Sequence, residues 1–297
     1  MRIPVRVVPM SEMLIRKPHP GEKPDLQDIW SLVFGNTGLN SFFELLYDER
    51  LCIIADAGGN PAAVGYLIPT GDLMLNHTQV PCAMIYSVAT LPEHRGKGFG
   101  TAVVRKLICL ARELDFPALV LCPSDGDLFE YYRRHTELKE YFYIKEQILD
   151  YGQITKRKLS DDCMAMLSEV NVDEYIILRE NLLSGTKYIR QGQNIIEYQV
   201  SLCKELGGGL FRIGDSCAVV EAESSGTVLI KELLTSGDNE LDIAAAIASR
   251  FPAHSYIVRS PSSTGKGRRF GMLGLDTDAM INADPGTAEP WYGMGLD

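Results

Sequence analysis

Basic residues are in short supply. Lys and Arg total 29 against 39 Asp and Glu, a formal charge of −10 over 297 residues. That balance argues against binding nucleic acid over a broad surface, which needs clustered cations to displace counterions from phosphates. Long apolar runs are missing too: none approaches the ~20 residues of a membrane-spanning helix. The first ten residues, interrupted by Arg2 and Arg6, lack the basic-then-apolar order of a secretory leader. The seven cysteines, at 52, 82, 109, 122, 163, 203 and 217, include no CxxC pair. An odd number in apolar surroundings reads as reduced, buried thiols, with no metal site expected. A soluble cytoplasmic protein follows, with no nucleic-acid or membrane partner and an oligomeric state the sequence leaves open. What remains is ordinary globular material, 45% hydrophobic and 23% charged, long enough to favour two domains.

Residues 2–9 look like a short strand broken by prolines. Asp25 is expected to cap a helix carrying Leu26, Ile29, Trp30, Val33 and Phe34 at helical spacing, and a second helix is expected over Ser41–Tyr47. Extended runs follow at 51–55 and 62–68, parted by the turn signal Gly58-Gly59-Asn60-Pro61, and at 83–89. Val103, Leu107, Leu110 and Leu114 then give the clearest amphipathic helix, Gly100–Leu114. A buried strand at 118–122, a short helix capped by Asp125 or Asp127, and alternation over 141–148 complete the first half. After about Asp150 the order begins again: extended at 153–159, helical at 173–183 and 194–206, extended at 210–213, 217–221 and 228–234, helical at 241–250, extended at 256–259. Two related pieces, Phe270–Asp276 and Trp291–Asp297, close the chain. The shared order predicts an α/β protein with mixed α+β sheets, built as two similar units, 1–150 and 151–297.

Chemistry concentrates between Met84 and Thr101. A strand ends at Val88-Ala89-Thr90, a short turn follows, and Arg95-Gly96-Lys97-Gly98-Phe99-Gly100-Thr101 opens the strongest helix. Glycines at 96, 98 and 100 let the main chain approach a ligand. Successive N–H groups and the positive end of the helix dipole would form an anion site there, with Arg95 and Lys97 at its rim. Lys97 is followed by Gly98 rather than Ser or Thr, so a P-loop does not fit. The G-x-G-x-G spacing after a five-residue turn is not the dinucleotide fingerprint.

The remaining match, Arg-x-x-Gly-x-Gly between strand and helix, resembles the pyrophosphate loop of the GCN5-related N-acetyltransferases (GNAT). The likeness is specific over about residues 50–145. It implies tandem acyl-CoA N-acyltransferase units, acetyl-CoA as co-substrate and no metal. It further implies that two parallel strands, here 83–89 and 118–122, splay apart around the pantetheine arm. Val88, Ala89 and Thr90 would meet that arm through their main chain, and an N–H near Val88 would polarise the thioester carbonyl. Arg95 through Thr101 would hold the pyrophosphate. An amine of a small molecule or peptide would attack directly, and the family's proton donor falls on Tyr132, with Tyr131 one residue away. The general base is not legible; Glu44, Glu49, Tyr86 and His94 stand on suitable elements, although packing or solvated surface explains each. A non-catalytic acyl-CoA-binding or partner-binding module on the same fold is the alternative.

The second half resembles a degenerate copy. Its strand Val228–Thr235 is followed by Ser236-Gly237-Asp238-Asn239-Glu240, with no Arg and no Gly-x-Gly, so acidic residues stand where a diphosphate would lie. Gly265-Lys266-Gly267-Arg268-Arg269 reads as a solvated basic connection.

Overall fold

The computed structural model describes residues 13–75, 78–155, 167–222, 226–237, 239–262, 267–274 and 289–296. The strand expected at 2–9, residues 156–159 of the run at 153–159, Cys163, Asp238, Lys266 and Asp297 lie outside them. The chain divides into two compact units, Met1–Ile68 with Met84–Phe116, and Pro69–Ala83 with Pro117–Asp297.

The first unit holds β1 (Met13–Arg16), α1 (Lys23–Phe34), α2 (Leu39–Leu45), β2 (Cys52–Ala57), the first part of β3 (Asn60–Leu75), the last part of β4 (Thr78–Thr90) and α3 (Phe99–Glu113). Its strands follow one another in the order β1-β2-β3-β4. β1 and β2 are antiparallel, with Met13 opposite Ala57, and so are β2 and β3, with Cys52 opposite Tyr66. Gly58 and Gly59, at φ 63° and 93°, make the turn that the sequence marks. α1 begins ahead of Asp25, which sits in the first turn while Glu22 occupies the cap position. Pro24 is the reason, because its fixed φ pre-sets the first helical turn. The apolar face of α3 (Val103, Val104, Leu107, Leu110 and Ala111) is buried and packs on β2 and β1. Gly65 on β3 lets it come close: a Cβ there would stand 2.9 Å from both Val103 Cγ1 and Leu107 Cδ1.

The second unit holds β5 (Ala118–Leu121), α4 (Gly126–His135), β6 (Lys139–Asp150), α5 (Tyr151–Thr155), β7 (Leu167–Glu169), α6 (Val172–Leu183), β8 (Tyr188–Gln191), α7 (Gln193–Glu205), β9 (Gly209–Ile213), β10 (Ser216–Ala222), β11 (Thr227–Leu234), α8 (Glu240–Arg250), β12 (Ser255–Pro261) and β13 (Arg268–Gly274). Its sheet runs β5-β13-β6-β12-β11-β10-β9-β7. β11 and β12 are parallel; the other registered pairs are antiparallel. β13, last in sequence, pairs with β5, while β6 pairs with β12. Each half of the sequence thus receives its closing strand from the other. α8 buries Ile243, Ala244 and Ile247 against Phe211, Val220, Ile230 and Tyr256.

Two local expectations need correction. Residues 153–155, expected to be extended, belong to the helix Tyr151–Thr155. The physical reason is a reciprocal cap: Gln153 N donates to Asp150 Oδ1 at 2.7 Å, and Asp150 N donates to Gln153 Oε1 at 2.9 Å. β3 runs on through Pro69 and Gly71 to Leu75, past the expected end at 68. Its outer residues Gly71–Met74 are held by β8, so pairing overrides local preference. β7 and β8 carry too few residues to give a periodic signal. Among the described residues no helix is long and apolar enough to cross a membrane, and none of their His, Cys, Asp and Glu side chains forms a group able to hold a metal ion.

Candidate active site

The site begins where β4 ends. Ser87 has φ 46°, a left-handed conformation that few non-glycine residues adopt and that marks local strain. It interrupts the extended chain immediately before Val88, Ala89 and Thr90. Val88 Cγ2 lies 3.2 Å from where a Cβ on Gly65 would stand, so its side chain is used against α3 and the residue meets a ligand through its main chain. The sequence carries no signal for the Ser87 conformation, since serine in a strand is unremarkable.

The turn after β4 is tied at several points. Leu91 N donates to the Ala62 carbonyl at 2.9 Å, His94 N to Leu91 O at 2.9 Å, and Arg95 N to Pro92 O at 3.3 Å. Arg95 Nε reaches back to the Thr90 carbonyl at 3.1 Å. Gly96 and Gly98 then take φ 72° and 88°, a region closed to most L residues. A Cβ on either would meet nothing within 4 Å. Glycine is needed there for backbone shape, not for want of space. Gly98 caps α3 without a side chain, and Ala102 N donates to its carbonyl at 3.0 Å. The N–H groups of Gly96, Lys97, Gly98, Phe99 and Gly100 have no acceptor among the described residues. No acidic residue occupies the first turn of α3. Unpaired N–H groups, a helix N-terminus and two flanking cations fit a diphosphate. Arg95 is exposed, Lys97, Gly100 and Thr101 are half-buried, and Phe99 is buried against the His94 ring at 5.1 Å.

Tyr132 stands on α4, in the second unit; Val88–Thr90 and Arg95–Thr101 stand together in the first. Asp125, rather than Asp127, caps α4, its Oδ1 accepting from Leu128 N at 2.9 Å. The Tyr132 ring is 9% exposed and packs edge-on against Tyr131 at 5.1 Å. Its hydroxyl bonds to none of the described residues. Burial, with Tyr131 adding to it, raises the pKa of this phenol above the ordinary value, so it stays protonated at neutral pH.

Among the base candidates, Glu44 and Glu49 are exposed and His94 is half-buried with an unpartnered Nδ1. Tyr86 joins an aromatic cluster in which Trp30 stacks on Phe42 at 4.6 Å and Tyr66, Phe43 and Tyr47 crowd alongside. The Trp30 Nε1 and the Tyr66 hydroxyl are buried there without hydrogen-bond partners among the described residues.

In the second half, β11 and β12 stay in parallel register from Thr227 opposite Ser255 to Ile230 opposite Val258 and then part. Beyond that point Glu232–Leu234 remain paired with β10, and Arg259–Pro261 with β6. Lys231 is the extra residue of a bulge. Of the basic connection, Arg268 is bonded to Glu146 at 2.9 Å and Arg269 to Glu140 at 2.8 Å, so both guanidiniums are committed to carboxylates.

The sequence profile of the acetyltransferase (GNAT) domain matches residues 14–135. Over these residues the chain resembles the acetyltransferase (GNAT) domain. The match ends at the last residue of α4 and so takes in Val88–Thr90, Arg95–Thr101 and Tyr132. A comparison with curated proteins by sequence gives no match. Among solved structures, a GCN5-related N-acetyltransferase from Kribbella flavida is similar at 14% identity and TM-score 0.64, over 91% of this chain and 73% of that one. One from Anabaena variabilis ATCC 29413 is similar at 14% identity and TM-score 0.64, over 89% and 73%. Eis1 from Mycobacterium abscessus is similar at 13% identity and TM-score 0.57, over 91% and 76%. At this identity the likeness is one of fold, and it extends a GNAT architecture over nearly the whole chain.

Proposed function

We propose that the chain transfers an acetyl group from acetyl-CoA to a primary amine of a small molecule or peptide. The observation that carries this reading is the row of unpaired N–H groups from Gly96 to Gly100 at the start of α3. Arg95, Gly96, Lys97, Gly98, Phe99, Gly100 and Thr101 hold the diphosphate. Val88, Ala89 and Thr90 receive the pantetheine arm as an added strand. The co-substrate supplies an activated thioester whose leaving thiolate has an ordinary pKa of ~8.5. An N–H near Val88 is aimed at the carbonyl oxygen by the turn at Ser87 and stabilises charge developing there. Tyr132, kept protonated by burial, gives its proton to the departing sulfur.

Residues 1–150 and 151–297 are two copies of one unit, the second without a diphosphate loop. The parting of β11 and β12 and the bulge at Lys231 support this. No disulfide joins the six described cysteines, which supports a cytoplasmic setting. Burial of the Tyr132 ring favours the second reading, a non-catalytic acyl-CoA-binding or partner-binding module.

Calorimetry with acetyl-CoA and an amine panel separate the two. Binding lost in Gly98→Glu, together with turnover on at least one amine, supports the transferase. Binding without turnover on any amine supports the module. Binding unaffected by Gly98→Glu rejects the site.

A further inference from the structure

The last described segment, Glu289–Leu296, reaches the ends of both β11 and β12. Glu289 N donates to the Ser262 carbonyl at 3.3 Å, just past the end of β12. Two residues on, Trp291 lies beside β8: its N donates to Lys187 O at 2.8 Å, and its carbonyl accepts from Ile189 N at 3.0 Å. Its indole Nε1 crosses to β11 and donates to Glu232 Oε2 at 2.6 Å. Every residue from Pro290 to Leu296 is buried, although 292–296 form no helix or strand. Irregular backbone is rarely buried, because its polar groups need partners. Here Gln191 Nε2 donates to Met294 O at 2.5 Å, and the Tyr292 ring rests on Phe142 at 5.2 Å.

The surroundings are shaped for this segment. Glu232 is fully buried; its Oε1 accepts from the Tyr175 hydroxyl at 2.5 Å and from Arg179 Nε at 2.9 Å. A buried carboxylate needs its lone pairs filled, and the indole N–H fills the other oxygen. Gly293 has φ 60°, and a Cβ there would stand 2.1 Å from Glu232 Oε2. A Cβ on Gly295 would stand 2.4 Å from Cys122 Sγ. The pattern Trp-Tyr-Gly-x-Gly is therefore read by one charge-assisted bond and by two positions with no space for a side chain. The related piece Phe270–Gly274 is used differently, as strand β13.

We propose that the cleft bounded by β8, Glu232 of β11 and Ser262 beyond β12 is a peptide-binding groove whose ligand is the chain's own segment Pro290–Leu296. The second half then works as a clamp for an extended indole-and-glycine peptide.

Two measurements on the full chain test this, and neither reads acetyl transfer, so failure here leaves the acetyltransferase reading standing. In Gly293→Ala, which ejects the segment, a labelled peptide of sequence 289–296 is expected to bind one per chain. The same peptide with Phe in place of Trp is expected to bind about tenfold or more weakly, the worth of a charge-assisted bond. The unaltered chain, already occupied, is expected not to bind it. A folded Gly293→Ala chain that ignores the peptide overturns the proposal, and so does equal binding by the unaltered chain. If Gly293→Ala does not fold, hydrogen exchange on Glu232→Gln decides. Protection of 291–296 should fall about tenfold or more while β9 keeps its own; unchanged protection of 291–296 overturns the proposal.

Discussion

Leu107 Cδ1 lies 2.9 Å from the point where a Cβ on Gly65 would stand, and Val88 Cγ2 lies 3.2 Å from the same point. One missing side chain thus sets both how close α3 sits to β3 and where Val88 stands. Gly65→Ala is expected to destabilise by about 1–3 kcal/mol through overpacking, read as a lower urea midpoint at unchanged slope. Acetyl-CoA affinity should fall with it, because Val88 must yield. A fully stable Gly65→Ala chain would show that α3 can simply shift outward.

Tyr132 gives up no hydrogen bond to the described residues when its hydroxyl is removed. Tyr132→Phe should therefore keep stability within about 0.5 kcal/mol and leave acetyl-CoA affinity intact, while turnover drops about tenfold or more. Because burial raises this phenol's pKa, turnover should show no alkaline loss from it up to about pH 10. Tyr131→Phe is the control, expected to be near normal. A reversed pattern would move the proton donor to Tyr131.

What the sequence disclosed and what it hid follow from the range of the forces involved. The loop from Arg95 to Thr101 was legible because glycine spacing and a helix start are local chemistry, and Gly96, Gly98 and the start of α3 stand as expected. The left-handed Ser87, the continuation of β3 past Pro69 and the helix at 151–155 were not. The extension of β3 is flanked by β4, its neighbour in the sheet, and along Gly71–Met74 by β8, more than a hundred residues away. The exchange of β6 and β13 and the burial of Trp291 on Glu232 are likewise partner choices, which no window of sequence contains.

Buried thiols and phenols give the chain an alkaline limit. Desolvation raises Cys52, Cys82 and Cys217 above the ordinary thiol value and pushes Cys203 up to about 12; it raises Tyr66 and Tyr175 likewise. The folded chain holds these protons at a pH where the unfolded chain has released them. Stability is then full below the unfolded values and falls as pH rises past roughly 8.5 for thiols and 10 for phenols. Urea midpoints should be level from pH 7 to 8 and decline by pH 10. Cys82→Ala should flatten part of that decline, and a level profile to pH 10 would remove the buried groups as its cause.

Lys231 and Glu221 form the other ion pair along β11, 3.0 Å apart with side chains 2% and 8% exposed, and Gln199 Nε2 also donates to Glu221 Oε1 at 2.9 Å. Taking two charges out of water costs several kcal/mol per ion, and their attraction roughly offsets it only while both remain. Lys231→Met leaves a buried carboxylate with a neutral amide for company, and should cost about 3–5 kcal/mol. Lys231→Met with Glu221→Leu removes the charge altogether and should recover most of that loss, leaving chiefly the unpaired Gln199 amide, about 1–3 kcal/mol. The coupling between the two positions, read from a four-chain cycle of urea titrations, should thus be large. Additive losses would mean that water reaches the bulge, and that the pair is screened despite its burial.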